Sequence, residues 1–189
     1  MSNDEVQFES FIIQHSLVLV HYFQLYYMLW IRLIIFTILV PGTVAGYIPH
    51  RLVNEVGPDW NKPTLKWIGL VVIILGITIY LVCAISFLLR GLGTPMIWFA
   101  KPLKFLVGEE PKKLVASGIY KFSRNPMYVG VLMTVLGEAL FYQRMVLIHY
   151  FIFLFILFHL VVIMIEEPHL KKKFGKEYEE YRKKTRRWL

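Results

Sequence analysis

Four long apolar runs limit what this chain can fold into. They cover residues 26–48, 67–89, 127–142 and 146–165. An α-helix rises about 1.5 Å per residue, so roughly 20 apolar residues cross a bilayer, and three of the runs reach that length. The mean hydropathy of +0.54 is too high for a soluble domain of 189 residues. The sequence therefore predicts an all-α fold, a polytopic membrane helical bundle with about four transmembrane helices.

The N-terminal segment leaves the number of spans open between four and five. Residues 11–24 are apolar but are interrupted by two glutamines and two histidines, which favours a helix at the membrane interface. Alternatively, residues 11–30 cross the membrane by themselves. The acidic residues 1–10 lack the basic region of a cleavable signal peptide.

We expect a single domain over residues 1–189. Its parts are an N-terminal interfacial segment (1–25), the first two spans with their loop (26–111), and a catalytic core (112–189). Pro49 is predicted to open the loop between the first two spans, and Trp67 is predicted to begin the second span. The runs 127–142 and 146–165 are joined by so short a link that they predict an antiparallel helical hairpin.

The positive charge lies beside the apolar runs. The formal net charge is +8, and residues 90–125 carry seven Lys or Arg against two Glu. This arrangement predicts a cytoplasmic loop and contact with anionic lipid, and it argues against a nucleic-acid partner. Both termini and the active site would then be cytoplasmic, in the plasma membrane of a prokaryote or, alternatively, in the endoplasmic reticulum.

The C-terminal tail predicts an amphipathic cytoplasmic helix. Pro168 marks its start, and Leu170, Phe174, Tyr178 and Tyr181 recur at helical spacing. Lysines and arginines fill the polar side. We expect this helix to lie against the membrane surface, where it could also close over a binding site.

Two polar segments within this apolar chain are candidates for chemistry. Residues 112–130 are basic and turn-rich, and they lead into an apolar run just after Pro126. Glu166 and Glu167 end the last span, where a carboxylate is costly unless it is solvated or paired. Adjacent helical residues point about 100° apart, so one of the two glutamates can face the interior of the bundle.

Other kinds of site find no support in the sequence. The six histidines show no metal-binding spacing, and Cys83 is the single cysteine. A lone Gly-x-Gly at residues 91–93 lacks the further glycine and the preceding strand of a dinucleotide-binding fold. We predict no metal.

The two polar segments together resemble a known superfamily. The run L-V-x-S-G-I-Y-x-x-x-R-N-P-M-Y-x-G is followed by E-E-x-x-L-x-x-x-F-G-x-E-Y-x-x-Y and a terminal R-W. This pattern, over residues 112–188, is similar to the isoprenylcysteine carboxyl methyltransferase and phospholipid methyltransferase superfamily. The resemblance implies an integral membrane methyltransferase that binds S-adenosyl-L-methionine on its cytoplasmic side. It would methylate a lipophilic acceptor that reaches the site through the lipid bilayer.

The resemblance also implies which residues act. By position, the cofactor pocket would be formed by Lys112, Lys113, Leu114, Val115, Tyr120, Asn125, Pro126, Met127, Tyr128, Glu166 and Glu167. Arg124 and Glu166 would serve at the catalytic centre. Glu166, in preference to Glu167, would bind the amino group of the methionine part. Apart from the resemblance, a tail that closes over the site would bring Arg186 or Arg187 to the acceptor head group, and we predict Arg187 as the substrate-binding residue.

Two departures from the superfamily pattern bear on the acceptor. The common R-H-P is R-N-P here, and Asn125 cannot titrate near neutral pH. Val162 stands where the eukaryotic prenylcysteine enzymes have an arginine that faces the substrate carboxylate, so a prenylcysteine would need Arg124 or Arg187 instead.

Two alternative functions are compatible with the same sequence features. One is an NADPH-dependent membrane reductase of the sterol-reductase kind, which has a similar R-x-P-x-Y-x-G loop. The other is a non-catalytic scaffold whose basic tail binds anionic lipid. The oligomeric state is left open.

Overall fold

The computed structural model describes residue 24 and residues 27–53, 59–91 and 113–189. Every regular element in these residues is helical, and the prediction of an all-α fold is confirmed. The predicted N-terminal interfacial segment (1–25), with the question of a fifth span, lies outside the described residues apart from residue 24. Most of the basic loop after residue 91 also lies outside them.

Six α-helices follow one another along the described chain. They are α1 (Tyr27–Val53), α2 (Pro63–Ser86), α3 (Pro126–Tyr142), α4 (Met145–Val161), α5 (Glu167–Phe174) and α6 (Lys176–Lys184). Three continuous helical segments are long and apolar enough to cross a membrane, namely Tyr27–Val53, Pro63–Leu89 and Met145–Phe174. Helix α3 is apolar but has only 17 residues. The chain is therefore a membrane protein built from three to four such helices.

The predicted boundaries of the first loop are wrong at both ends. Helix α1 continues past Pro49 to Val53, and α2 begins at Pro63 rather than Trp67. Pro63 stands at the first turn of its helix, where a backbone N–H has no partner in any case. Proline is thus a helix residue at both boundaries.

Pro49 is tolerated because a π-helical turn precedes it. In this turn, Thr43–Tyr47, the helix bonds from residue i to residue i−5, as in the bond from the Ile48 N–H to the Thr43 carbonyl. In the same register the nitrogen of residue 49 would face the Val44 carbonyl, and proline has no N–H to donate. The Tyr150 hydroxyl of α4 donates to that carbonyl at 2.9 Å and replaces the missing bond.

Helices α2 and α3 pack at very short range along a seam of four glycines, Gly69, Gly76, Gly130 and Gly137. A Cβ atom on Gly76 would lie 2.6 Å from the backbone nitrogen of Thr134, and one on Gly137 would lie 2.6 Å from that of Ile73. Only glycine permits this approach, which is a common device in membrane bundles. The seam sets the position of α3 and of the loop that leads into it.

The predicted hairpin of α3 and α4 is confirmed. Its turn is closed by Gln143, which adopts a positive φ of 55°. The Gln143 side chain accepts from the Lys62 N–H at 2.7 Å and donates to the Lys62 carbonyl at 3.1 Å. These bonds join the hairpin to the residue before α2.

The C-terminal tail departs from the prediction of one amphipathic helix. The chain breaks at Gly175, where φ is 52° and ψ is −121°, a conformation that disfavours side chains. Helices α5 and α6 result. Tyr178 and Tyr181 of α6 are buried within the protein, so their side of the tail packs on the chain itself rather than on lipid.

Candidate active site

A cavity of about 210 Å³ lies where the membrane helices meet the tail. One part of it is apolar and is formed by all four apolar helices. Its lining side chains there are Phe36, Val40, Pro41, Val44, Tyr80, Phe87, Met127, Val131 and Phe158. The hydroxyl of Tyr80 is already bonded to that of Thr37 at 2.8 Å. This part of the cavity is suited to an apolar ligand.

The other part of the cavity is polar. It is lined by Lys113, Arg124, Asn125, Tyr128, Glu166, His169 and Lys173. These side chains come from the loop before α3, from the first turn of α3, and from the start of the tail. A ligand with both charged and apolar parts could therefore contact both regions at once.

Glu166 is the carboxylate that faces the cavity. One of its oxygens accepts a hydrogen bond from the Tyr128 hydroxyl of α3. Glu166 ends a second π-helical turn, Val162–Glu166, in which Val162 is fully buried. A π turn holds one more residue than an α turn, and an added residue rotates those after it by about 100°. This rotation decides which of the two adjacent glutamates faces inward.

Glu167 points away from the cavity into an ion-pair network. Its Oε1 lies 3.2 Å from Arg124 Nη2 and 2.7 Å from Arg187 Nε, and its Oε2 accepts from Arg187 Nη2 at 3.1 Å. Arg124 also donates to the Tyr178 hydroxyl at 3.3 Å. The side chains of Arg124 and Glu167 are only 9% and 12% exposed, so solvent screens their ion pair little. The network fastens the tail to the loop before α3.

Tyr120 packs behind the loop and is almost fully buried. Its ring meets that of Phe87 edge to face at 5.4 Å, and its backbone carbonyl accepts from the Tyr181 hydroxyl at 2.7 Å. Burial raises the pKa of Tyr120 well above its usual value, and burial raises the pKa of Tyr181 as well. Both phenols therefore stay neutral at physiological pH. The Tyr120 ring acts in packing, and the Tyr181 hydroxyl acts as a hydrogen-bond donor.

The structure brings most of the predicted site residues to this cavity. Its lining includes Lys113, Leu114, Val115, Tyr120, Arg124, Asn125, Met127, Tyr128 and Glu166. Pro126 is buried at the start of α3, and Glu167 and Arg187 bind one another next to the cavity. Lys112 lies outside the described residues. The roles assigned to these residues stay predictions.

Sequence reasoning placed the tail near the site but did not identify the tail residues after Glu167 that line the cavity. His169, Leu170, Lys173 and Phe174 line the cavity together with Glu166. They follow Glu166 at positions i+3, i+4, i+7 and i+8, which is one face of a helix. That spacing was visible in the sequence and could have found them. The lining residues of α1 carry no comparable signal, because they lie far away along the chain.

Neither metal chemistry nor a thiolate site is indicated in the residues that the structure describes. Among the described residues, no group of three or more His, Cys, Asp or Glu side chains could hold a metal ion. Cys83 is buried against Val115 and Tyr120, where a thiol packs as a small apolar group.

Comparison with known proteins identifies the family. The phospholipid methyltransferase profile matches residues 64–177, which is more than half of the chain and includes α2 to α5. This chain belongs to the phospholipid methyltransferase family. The superfamily resemblance read from the two polar segments is thereby confirmed, and both segments fall largely within the matched region.

One curated relative is similar to this chain over part of its length. A protein-S-isoprenylcysteine O-methyltransferase of Schizosaccharomyces pombe is 31% identical over 114 residues, which cover 57% of this chain and 48% of the relative. This chain thus spans about half the length of that relative. No solved structure shows significant similarity to it.

Proposed function

We propose that this protein is an S-adenosylmethionine-dependent methyltransferase that acts on a lipophilic acceptor at the membrane. The observation that carries the proposal is one carboxylate, Glu166, that lines a single cavity together with both charged and apolar side chains. Glu166 and most of the residues that line the cavity lie within the part of the chain that matches the methyltransferase family. We place this site on the cytoplasmic side of the membrane, as the basic residues around it favour.

The residues present fit S-adenosylmethionine chemically. The Glu166 carboxylate suits an amino group, because Tyr128 occupies one of its oxygens and leaves further acceptor positions. Lys113, on the loop side of the cavity, suits a carboxylate. Tyr128 and Phe87 add aromatic surface for a flat base or a cationic centre. These three kinds of group match the amino acid, adenosine and sulfonium parts of the cofactor.

The reaction demands alignment more than reactive side chains. When bound, the cofactor supplies a methyl group on a sulfonium, which passes to the acceptor by in-line displacement. The protein has to hold the two molecules in contact and keep water out, which can contribute up to about 7–11 kcal/mol. Glu166 would orient one partner from the polar part, and the apolar part would receive the other.

Arg124 has a positioning role in this proposal rather than a reacting one. Its guanidinium binds Glu167 and the Tyr178 hydroxyl, so it joins the loop to the tail on either side of the cavity. Arg187 is bound to Glu167 in the same way. Each arginine thus stabilises the shape of the polar part.

The bonds of the two arginines to Glu167 also indicate what kind of acceptor the site could bind. Both arginines that could replace the missing superfamily arginine at Val162 are bound to Glu167. The apolar lining has no charged side chain among the described residues. An acceptor with a neutral nucleophile on a hydrocarbon body therefore suits the apolar part of the cavity better than one that presents a carboxylate there.

Isothermal titration calorimetry tests the proposal directly. S-adenosylmethionine and S-adenosylhomocysteine would be titrated into the protein in lipid nanodiscs, and the melting temperature would be measured with each ligand and with NADPH. We expect both adenosyl ligands to bind and to raise the melting temperature. Stabilisation by NADPH alone would favour the reductase alternative and refute the proposal. Absence of binding by folded protein would favour the scaffold.

A further inference from the structure

Helix α1 is interrupted beside the cavity by three features that bend helices. A turn at Val40 breaks the regular α-helix, and Pro41 follows without an N–H to donate to the preceding turn. The Thr43 hydroxyl donates to the Leu39 carbonyl at 2.7 Å, a side-chain bond to the backbone that often bends a helix. The π-helical turn Thr43–Tyr47 comes next. Proline, side-chain bonds to the backbone and π turns all cause kinks, so α1 has a natural pivot here.

The part of α1 that follows this bend is bound to the hairpin of α3 and α4. The Val44 carbonyl accepts from the Tyr150 hydroxyl at 2.9 Å, and Pro49 is fully buried. After the helix, the Asp59 N–H donates to the Gln143 carbonyl at 3.0 Å, which joins the chain to the turn of the hairpin. This part of α1 is therefore fixed to the rest of the bundle.

The part of α1 before the bend, residues 27–39, is held mainly by apolar contacts. Leu29 and Leu33 belong to an apolar cluster with Tyr80 and other residues of α2 and α3. Among the described residues, one side-chain hydrogen bond joins this part to another helix, and it links the Thr37 hydroxyl to the Tyr80 hydroxyl at 2.8 Å. Lipid chains are as apolar as these side chains, so lipid can replace the apolar contacts but not the hydrogen bond.

The same part of α1 separates the cavity from the surrounding lipid. Phe36, together with Val40 at the bend, lines the apolar part of the cavity. Ile38 lies on the opposite side of the helix and is exposed, as expected of a side chain that faces lipid. Tyr80 lines the cavity as well, so its bond to Thr37 lies at the boundary between α1 and α2. A displacement of residues 27–39 would therefore connect the cavity with the bilayer.

The size of the cavity favours a wall that moves. Pockets for small ligands usually measure about 300–1,000 Å³, whereas this cavity measures about 210 Å³. A cofactor and a lipophilic acceptor together need more room than that. Displacement of an apolar wall supplies the room on the side from which an apolar molecule would arrive.

We propose that residues 27–39 of α1 form a lateral gate, which pivots at residues 40–47 and opens the cavity to the bilayer along the boundary with α2. The Thr37–Tyr80 hydrogen bond is the latch of this gate. A lipophilic methyl acceptor enters by this route, and the identity of the acceptor rests on the proposed function. Opening breaks the latch and exchanges contacts between apolar side chains for contacts with lipid.

Distances between pairs of spin labels in nanodiscs measure the movement directly. One label is attached to Ile156→Cys on α4, and the other to Ile38→Cys before the bend or to Arg51→Cys after it. All three positions are exposed, whereas the native Cys83 is fully buried and stays unlabelled. We expect a closed and an open population for the pair that includes residue 38, and one population for the pair that includes residue 51.

Removal of the latch should enlarge the open population. Thr37→Val and Tyr80→Phe each delete one hydroxyl of the latch, and each should raise the ratio of open to closed protein about twofold to tenfold. The double variant should behave like either single variant, because both changes remove the same bond. Thr78→Val is the matched control, since the Thr78 hydroxyl donates to the Ile74 carbonyl of its own helix at 2.7 Å. Identical distances in the native protein and both latch variants, or equal changes in the two label pairs, would overturn the gate.

Photolabelling tests whether an apolar molecule passes the gate. The nanodiscs would contain a long-chain alcohol with a diazirine in its chain, and mass spectrometry would locate the labelled residues. We expect label on Met127 and Val131, which line the cavity, and about twofold to tenfold more of it in Thr37→Val than in Thr78→Val. Label confined to lipid-facing residues in every variant would contradict this route. Neither measurement requires a bound cofactor, so failure of the gate and failure of the proposed function give different results.

Discussion

Glu→Gln substitutions at the two adjacent glutamates should separate the affinity for the cofactor from the stability of the fold. Glu166→Gln replaces the carboxylate that faces the cavity but keeps an oxygen to accept from Tyr128. Glu167→Gln removes the charge that binds Arg124 and Arg187. We expect the first change to act on cofactor affinity and the second to act on folding.

The size of each effect follows from burial and charge. A hydrogen bond to a charged partner contributes about 1.5–3 kcal/mol, so Glu166→Gln should raise the Kd for S-adenosylmethionine roughly 10-fold to 100-fold. Breaking a fully buried ion pair costs about 3–5 kcal/mol, but the Arg187 side chain is 32% exposed, which reduces that value. For Glu167→Gln we therefore expect a loss of about 2–3 kcal/mol, and a melting temperature lower by roughly 4–12 °C for a chain of this length.

The assay pairs calorimetric titration of S-adenosylmethionine with thermal unfolding of the ligand-free protein in nanodiscs. Glu180→Gln, at an exposed position on α6, is the control and should change neither quantity. An unchanged Kd for Glu166→Gln would contradict a role of Glu166 in cofactor binding. A Kd raised as strongly by Glu167→Gln, with an unchanged melting temperature, would contradict the separate roles of the two glutamates.

Three further predictions concern the helices and turns that hold the site in place. Gly137→Ala should strongly lower the melting temperature of the ligand-free protein, because the added methyl group would lie 2.6 Å from the backbone of α2. Gly46→Ala is the control and should leave the melting temperature unchanged, because no atom lies within 4 Å of the added methyl group. Gly175→Ala should cost about 1–3 kcal/mol in unfolding free energy, measured by denaturant titration, because its φ of 52° disfavours a side chain. Tyr150→Phe leaves the Val44 carbonyl without its donor and should cost about 1–3 kcal/mol, seen as a lower melting temperature than in the native protein.

Local sequence patterns were sufficient to predict the membrane helices and to locate the segments that form the site. The apolar runs predicted the membrane helices, because crossing a bilayer requires a length of apolar chain that can be read directly. The three-residue link predicted the hairpin of α3 and α4 for the same kind of reason. The polar residues 113–128 and the glutamate pair were identifiable because polar groups are unusual within so apolar a chain.

Helix boundaries were less accessible, since they depended on contacts with remote residues. The sequence predicts a loop from Pro49, yet α1 continues through this residue because Tyr150, about a hundred residues later, supplies the bond that proline cannot make. At Gly175 the positive φ divides the tail into two helices, which a count of apolar spacing does not reveal.

The amino-acid sequence is enough to identify a membrane bundle of the phospholipid methyltransferase family and the short segments that carry its polar groups. Only the tertiary structure decided that Glu166 faces the cavity while Glu167 binds two arginines, since that depends on a π turn that rotates the end of α4. It also decided that α1 completes the apolar wall of the cavity. The physical reason is the distance along the chain over which each effect acts. Hydropathy and turn preference act over a few residues, whereas helix rotation and the distance between helices are set by the packing of segments that lie far apart along the chain.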